Sequence, residues 1–247
     1  MNAFAIGVLM VSRPMQFVES SITGVRAAYL RLSAGPSSAE VCLLPMLHVG
    51  APSYFAEVRR RLDACDVVLF EGVRTFHSWL LTRSYAIATH RKRLGLVLQW
   101  DALRTASLKP QRIHVDVSSA EFAAAWRGIP LFQRVAVLLI APVYGFWIYC
   151  TGTRESIGRH LSTEDLESSK DQDRYEGLPE LEMAIRTRRD ARLVEGLASA
   201  LEQHGGGTRI GVLYGAAHMR AVSRMLTAKH HYRVVESEWL KVFDYDM

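Results

Sequence analysis

A chain of 247 residues, 49% hydrophobic and 22% charged, has the balance of a globular protein and can build a sizeable core without disulfide or metal staples. The formal charge of +5 is mild, and no aromatics interleave with the basic clusters Arg59-Arg60-Arg61, Arg91-Lys92-Arg93 and Arg186–Arg189, so no nucleic-acid partner is expected. Three cysteines without a Cys-x-x-Cys spacing, and a first segment Met1–Val11 without a basic leader or cleavage site, suggest free thiols in the cytoplasm.

Taken in chain order, Phe4–Val11 and Val25–Leu32 read as strands, and Ser20–Gly24 between them has turn composition. Glu40–Leu47 is the next strand. Ser53 is placed to cap a helix over Tyr54–Ala64, with Phe55, Val58 and Leu62 on one apolar face. Asp66–Phe70 returns as a strand, and a strand–helix–strand of this length makes the two strands parallel neighbours. Thr75–Leu98 reads as helical with a break at Gly95, and Ile113–Val117 as a short strand. A helix starts at Ser118 or Ser119 and stops at Gly128 and Pro130.

Thr163-Glu164-Asp165 opens a polar segment, and Ser168–Gly177 reads as a loop. Leu178–His204 carries a long helical pattern that Gly205-Gly206-Gly207 ends, with no other role expected for these glycines. Arg209–Tyr214 is a strand, Ala216–Lys229 a helix, and Tyr232–Glu236 and Trp239–Phe243 two closing strands. The expected class is α/β: a central mixed, partly parallel sheet flanked by helices, in one domain (1–247), with residues 75–201 forming a helical layer or cap.

Val135–Thr153 contains no Asp, Glu, Lys, Arg or His. It is just long enough to span a membrane, and basic ends with Trp147 and Tyr149 suit an interfacial belt. Pro142 and Gly145 interrupt it. A span would also put His48 and Glu71 on one side of a membrane and His218 on the other. The favoured expectation is a buried or interfacial helix; membrane association through 135–153 is the other reading.

Chemistry-bearing residues stand where three apolar strands end. Pro45-Met46-Leu47-His48 and Gly215-Ala216-Ala217-His218 each finish a strand on histidine, and Glu71 follows Val67–Phe70. Ligand chemistry in open α/β sheets sits at such ends. His48, Glu71 and His218 are candidate ligands for one divalent metal (Zn, Mn or Co) that would activate water for amide or ester hydrolysis. A metal-free scheme makes His48 the base, with Glu71 orienting it and Arg189 and His218 stabilising the oxyanion. The bland readings are a hydrogen-bonded structural His, a salt-bridged Glu71, a solvated stripe at Arg186–Asp190, and a turn or capping role for Asp116 and His114. There is no Gly-x-Ser-x-Gly, His-Glu-x-x-His, P-loop or Rossmann fingerprint.

In this order, His48, Glu71, Arg189-Asp190 and Gly215–His218 resemble the TraB/Tiki/GumN superfamily of pheromone-shutdown-like and Tiki-protease-like proteins, itself distantly similar to erythromycin esterases. Asp116 resembles a recurrent acidic position of that superfamily. The resemblance spans roughly residues 40 to 236 and departs at Pro45, where the superfamily has glycine. It implies a metal-dependent hydrolase of peptidase or esterase type, with Glu71, Arg189 and Asp116 catalytic and a peptide or a small ester or amide as substrate. The alternative it leaves is a non-catalytic peptide-binding protein, membrane-associated or not.

Overall fold

The computed structural model describes residues 16–72, 92–103, 109–162 and 186–245. The expected strand Phe4–Val11, the bulk of the helix expected over Thr75–Leu98, and the segments 163–177 and 178–185 lie outside the described residues. The described strands are β1 (Val18–Ser20), β2 (Gly24–Ser33), β3 (Glu40–Met46), β4 (Val49–Gly50), β5 (Val67–Phe70), β6 (Val97–Leu98), β7 (Gln111–His114), β8 (Arg209–Gly215) and β9 (Arg233–Asp244). The described α-helices are α1 (Pro52–Leu62), α2 (Gln99–Leu103), α3 (Ser119–Gly128), α4 (Leu131–Thr151), α5 (Arg154–Ser162), α6 (Arg188–Gln203) and α7 (Met219–Arg224).

The apolar runs of β3, β5 and β8 become inner strands because each has a covered face on both sides. Side chains alternate across β3. Val41 and Leu43 face α6 and α7, packing with Leu193, Leu197, Met219 and Val222. Cys42 and Leu44 face α1, packing with Phe55, Val58 and Leu62. The main sheet has seven strands in the order β1-β2-β3-β8-β5-β7, with β9 antiparallel to β2. β3, β8, β5 and β7 run parallel, whereas β1, β2 and β9 form an antiparallel wing. This is the mixed, partly parallel α/β architecture expected.

Several boundaries and neighbours differ from expectation. β3 and β5 are parallel but not adjacent, because β8 lies between them and pairs with both. The helix after β3 starts at Pro52 rather than at a Ser53 cap, since proline's fixed φ and missing N–H suit a first helical turn. The two closing strands are one, β9, whose pairing with β2 continues through two register shifts. Lys92–Leu94 is a single 3₁₀ turn, and Val97–Leu98 is strand β6 rather than helix. Residues 75–201 are therefore not purely a helical layer: β7 belongs to the main sheet, beside β5. Gly206 also does more than end α6, because a Cβ there would lie 2.0 Å from the Pro36 carbonyl.

Of the buried or interfacial helix expected over 135–153, the buried form is not what the structure shows. α4 is one continuous helix through Pro142, with only 6% of its apolar window buried.

Candidate active site

β8 ends on Gly215, and the small Ala216-Ala217 pair lets the chain tighten at once into a 3₁₀ turn that carries His218 back over the sheet rim. Glu71 leaves the end of β5, the next strand. A Cβ on Gly215 would lie 3.4 Å from His218 Cδ2 and 3.6 Å from each Glu71 carboxylate oxygen, so both side chains lean over the same bare backbone position. β7, on the far side of β5, ends just before Asp116. Three parallel strands thus deliver an imidazole and two carboxylates to one rim.

The first turn of α6 closes this rim from above. Arg189 and Asp190 are consecutive, so their side chains leave the helix about 100° apart and reach different strand ends. Arg189 Nε donates to Asp116 Oδ1 at 2.9 Å, and Nη2 donates to Asp116 Oδ2 at 2.9 Å and to Glu71 Oε2 at 2.8 Å. Asp190 Oδ1 lies 2.6 Å from His218 Nδ1. A cation at a helix N-terminus faces the positive end of the dipole; here two carboxylates offset that cost.

Burial and charge decide the protonation of this group. The Asp116 side chain is 0% exposed. Burial acts to raise its pKa, but the bidentate Arg189 contact and the N–H groups of Val117 and Gly72 outweigh burial and hold it below the usual carboxylate range. Arg189 is pushed the opposite way: burial acts to lower its pKa, and the charges of Glu71 and Asp116 more than reverse that. The Tyr214 phenol is raised well above its ordinary range, chiefly by burial. Its ring forms the floor, edge-to-face with His218 at 5.0 Å and with the Arg189 guanidinium carbon 5.4 Å from its centroid.

Among the described residues, three polar ends of the site have no hydrogen-bond partner: Nε2 of His218, Nη1 of Arg189 and the buried Oη of Tyr214. Trp100 is exposed, with its ring against Gly72 after Glu71, where a Cβ would lie 3.7 Å from Cη2. His114 Nε2–H donates to the Gly72 carbonyl at 3.0 Å, so it braces the loop after Glu71 rather than facing a substrate.

After Met46 the buried Leu47 leads into a bend at His48 and then into β4, and the His48 carbonyl accepts from the Gln99 N–H at 2.9 Å. Among the described residues no three His, Cys, Asp or Glu side chains form a group able to hold a metal ion, and His48, Glu71 and His218 are all described. Glu71 is engaged by Arg189, and His218 offers Nδ1 to Asp190. As placed, these donors form no three-ligand group for the divalent metal that the resemblance implies.

Glu71, Asp116, Arg189 and His218 are therefore brought together at this rim. Asp190 was visible only as the neighbour of Arg189; an acid directly after an arginine at a helix start was the available signal. Tyr214 and Trp100 gave no signal, since both read as ordinary apolar residues. No family model, curated protein or solved structure matches the chain.

Proposed function

We propose that the chain is a hydrolase of amide or ester bonds, of the TraB/Tiki type, acting through His218 as general base with Asp190 as its orienting partner. The observation that carries this reading is the 2.6 Å Asp190–His218 contact beside an Arg189 clamped by two carboxylates. Asp190 holds the Nδ1–H tautomer of His218, which leaves Nε2 to take a proton from water. The water oxygen then attacks the substrate carbonyl carbon, and the Nη1 donors of Arg189 face the negative charge that grows on the carbonyl oxygen. On collapse the carbon–heteroatom bond breaks, and His218 returns the proton to the leaving amine or alcohol. Glu71 and Asp116 do not touch the reacting atoms in this scheme; they fix the guanidinium plane.

The competing scheme keeps a divalent metal (Zn, Mn or Co) on His48, Glu71 and His218. Incubating the full chain with a peptide library and an ester panel, with and without chelator, separates the two. Chelator-insensitive turnover lost in His218→Gln and Asp190→Asn supports the metal-free scheme. Chelator-sensitive turnover lost equally in His48→Gln supports the metal. Binding without turnover under every condition supports the peptide-capture alternative instead.

A further inference from the structure

α4 is turned inside out. A helix lying on a protein body normally faces it with an apolar stripe and shows charges to water. In α4 the residues facing away include Phe132, Val135, Leu139, Ile140, Val143 and Phe146, which are 45–71% exposed. At 3.6 residues per turn these six fall within about one half of the circumference. The sole charged residue of the helix, Arg134, lies on the opposite half with Val137, Leu138 and Ile148, all half-buried. A continuous apolar half-cylinder of this length is far beyond the scattered exposed hydrophobics of an ordinary surface.

Both ends of α4 return to the same body. Upstream, Glu121 on α3 accepts from Arg192 of α6 at 2.7 Å, and Trp126 and Ile129 are buried against Val137 and Leu138. Downstream, Ile148 packs on the core facing α1, Arg154 donates to the Leu94 carbonyl at 2.7 Å, and Ile157 is buried. A helix of 21 residues is about 31 Å long, enough to cross a bilayer core. Flanks held in one folded body place its two ends on one side, so it does not cross. Nor is α3, with 10 residues or about 15 Å, long enough to be a return leg.

We propose that α4 lies in the plane of an anionic lipid bilayer, its apolar half sunk to the boundary between headgroups and acyl chains. The chemistry of the patch favours lipid over a second copy of the chain. The exposed half carries no charged residue to set a register between two proteins, whereas a fluid apolar layer needs none. Trp147 and Tyr149 supply the amphipathic rings that settle at headgroup level. Exposed Arg127 and Arg159 stand just beyond the two ends of the helix, and the net charge of +5 has the sign that anionic headgroups attract.

The test mixes the full chain with preformed vesicles of phosphatidylcholine, with or without phosphatidylglycerol, and separates them by flotation. Cys150, exposed while Cys42 and Cys65 are buried, takes a polarity-sensitive maleimide dye. The expected result is flotation that rises with phosphatidylglycerol and a blue-shifted dye. In Leu139→Glu/Phe146→Glu, which alters only exposed positions and should leave the far-UV spectrum unchanged, vesicle partition should fall at least about tenfold. A chain that stays in the aqueous fraction with an unshifted dye overturns the proposal. So does self-association abolished by the double variant without any lipid uptake. Flanks protected from protease on opposite sides of sealed vesicles overturn it too, in favour of a span.

Discussion

The two x-x-x-His tetrapeptides look alike on paper and do opposite things in the fold. Gly215–His218 turns tightly and delivers its imidazole to Asp190, whereas Pro45–His48 leaves the main sheet through a bend at His48 and enters the separate two-stranded β4–β6 ladder. The register explains part of this, because Pro45 pairs with Tyr214 and Met46 with Gly215. The first tetrapeptide thus begins one residue inside the strand, where the second begins at its end. The residues that follow explain the rest. Ala216-Ala217 can wind into a 3₁₀ turn, but Met46 and Leu47 are buried in the core facing α1, and winding would pull them out. Pro45 is tolerated because pairing with β2 has already stopped at Leu43 and its own carbonyl still accepts from Tyr54 Oη at 3.1 Å. A motif with the right spacing is only as good as the side chains it must leave exposed.

The sharpest way to break this contrast is to remove each histidine in turn. His218→Gln and Asp190→Asn should lower kcat on any amide or ester substrate by about 10²–10⁴, while His48→Gln should change it by less than about threefold. Equal losses from both histidines would place them in one site. Arg189→Met should be the most destabilising change at the rim, about 3–5 kcal/mol by urea denaturation, because Glu71 and Asp116 lose their shared counter-charge. An unchanged urea midpoint would show that the clamp does not hold the rim together.

Acid should act through the same clamp. The Asp116 pKa is lower in the folded chain than the ordinary value near ~3.9, so its stabilising contribution is present in full above that value and is lost as pH falls through the depressed one. Urea midpoints taken from about pH 7 down to about pH 3 should therefore fall more steeply in the native sequence than in Asp116→Asn. Smaller effects refine the comparison. Gly215→Ala puts a methyl 3.4 Å from His218 Cδ2 and should cost roughly tenfold in kcat with little change in Tm. Pro45→Gly should leave activity unchanged and lower stability by up to about 1 kcal/mol through the entropy of the unfolded chain. A gain of metal-dependent turnover in that variant would mean that the first tetrapeptide belongs to the site after all.

Much of this was readable from residues in a row. The runs Val41–Leu44, Val67–Leu69 and Ile210–Leu213 announce inner strands, because strands covered on both faces have no reason to alternate. Ser118 with Glu121 three residues on announces the start of α3, and the structure shows the complete capping box. Glu71 and His218 were legible as site candidates because each ends such a strand. The insertion of β8 between β3 and β5 was not legible: it joins residues more than a hundred positions apart, and pairing partners leave no local trace. Asp190 was equally opaque in its role, since which strand end it reaches depends on how α6 sits on the sheet.

Sequence alone therefore determined the local facts: where apolar runs make inner strands, where chemistry-bearing side chains end them, and that α4 has no charge to show on one whole side. Those follow from covalent order and side-chain chemistry. Only the tertiary structure decided which of the strand ends meet, that Arg189 takes both carboxylates while Asp190 takes His218, and that α4 leaves and rejoins the same body. The reason is physical. Strand order and helix placement are set by burying two apolar faces of one sheet at once, a sum over the whole chain that no single segment contains.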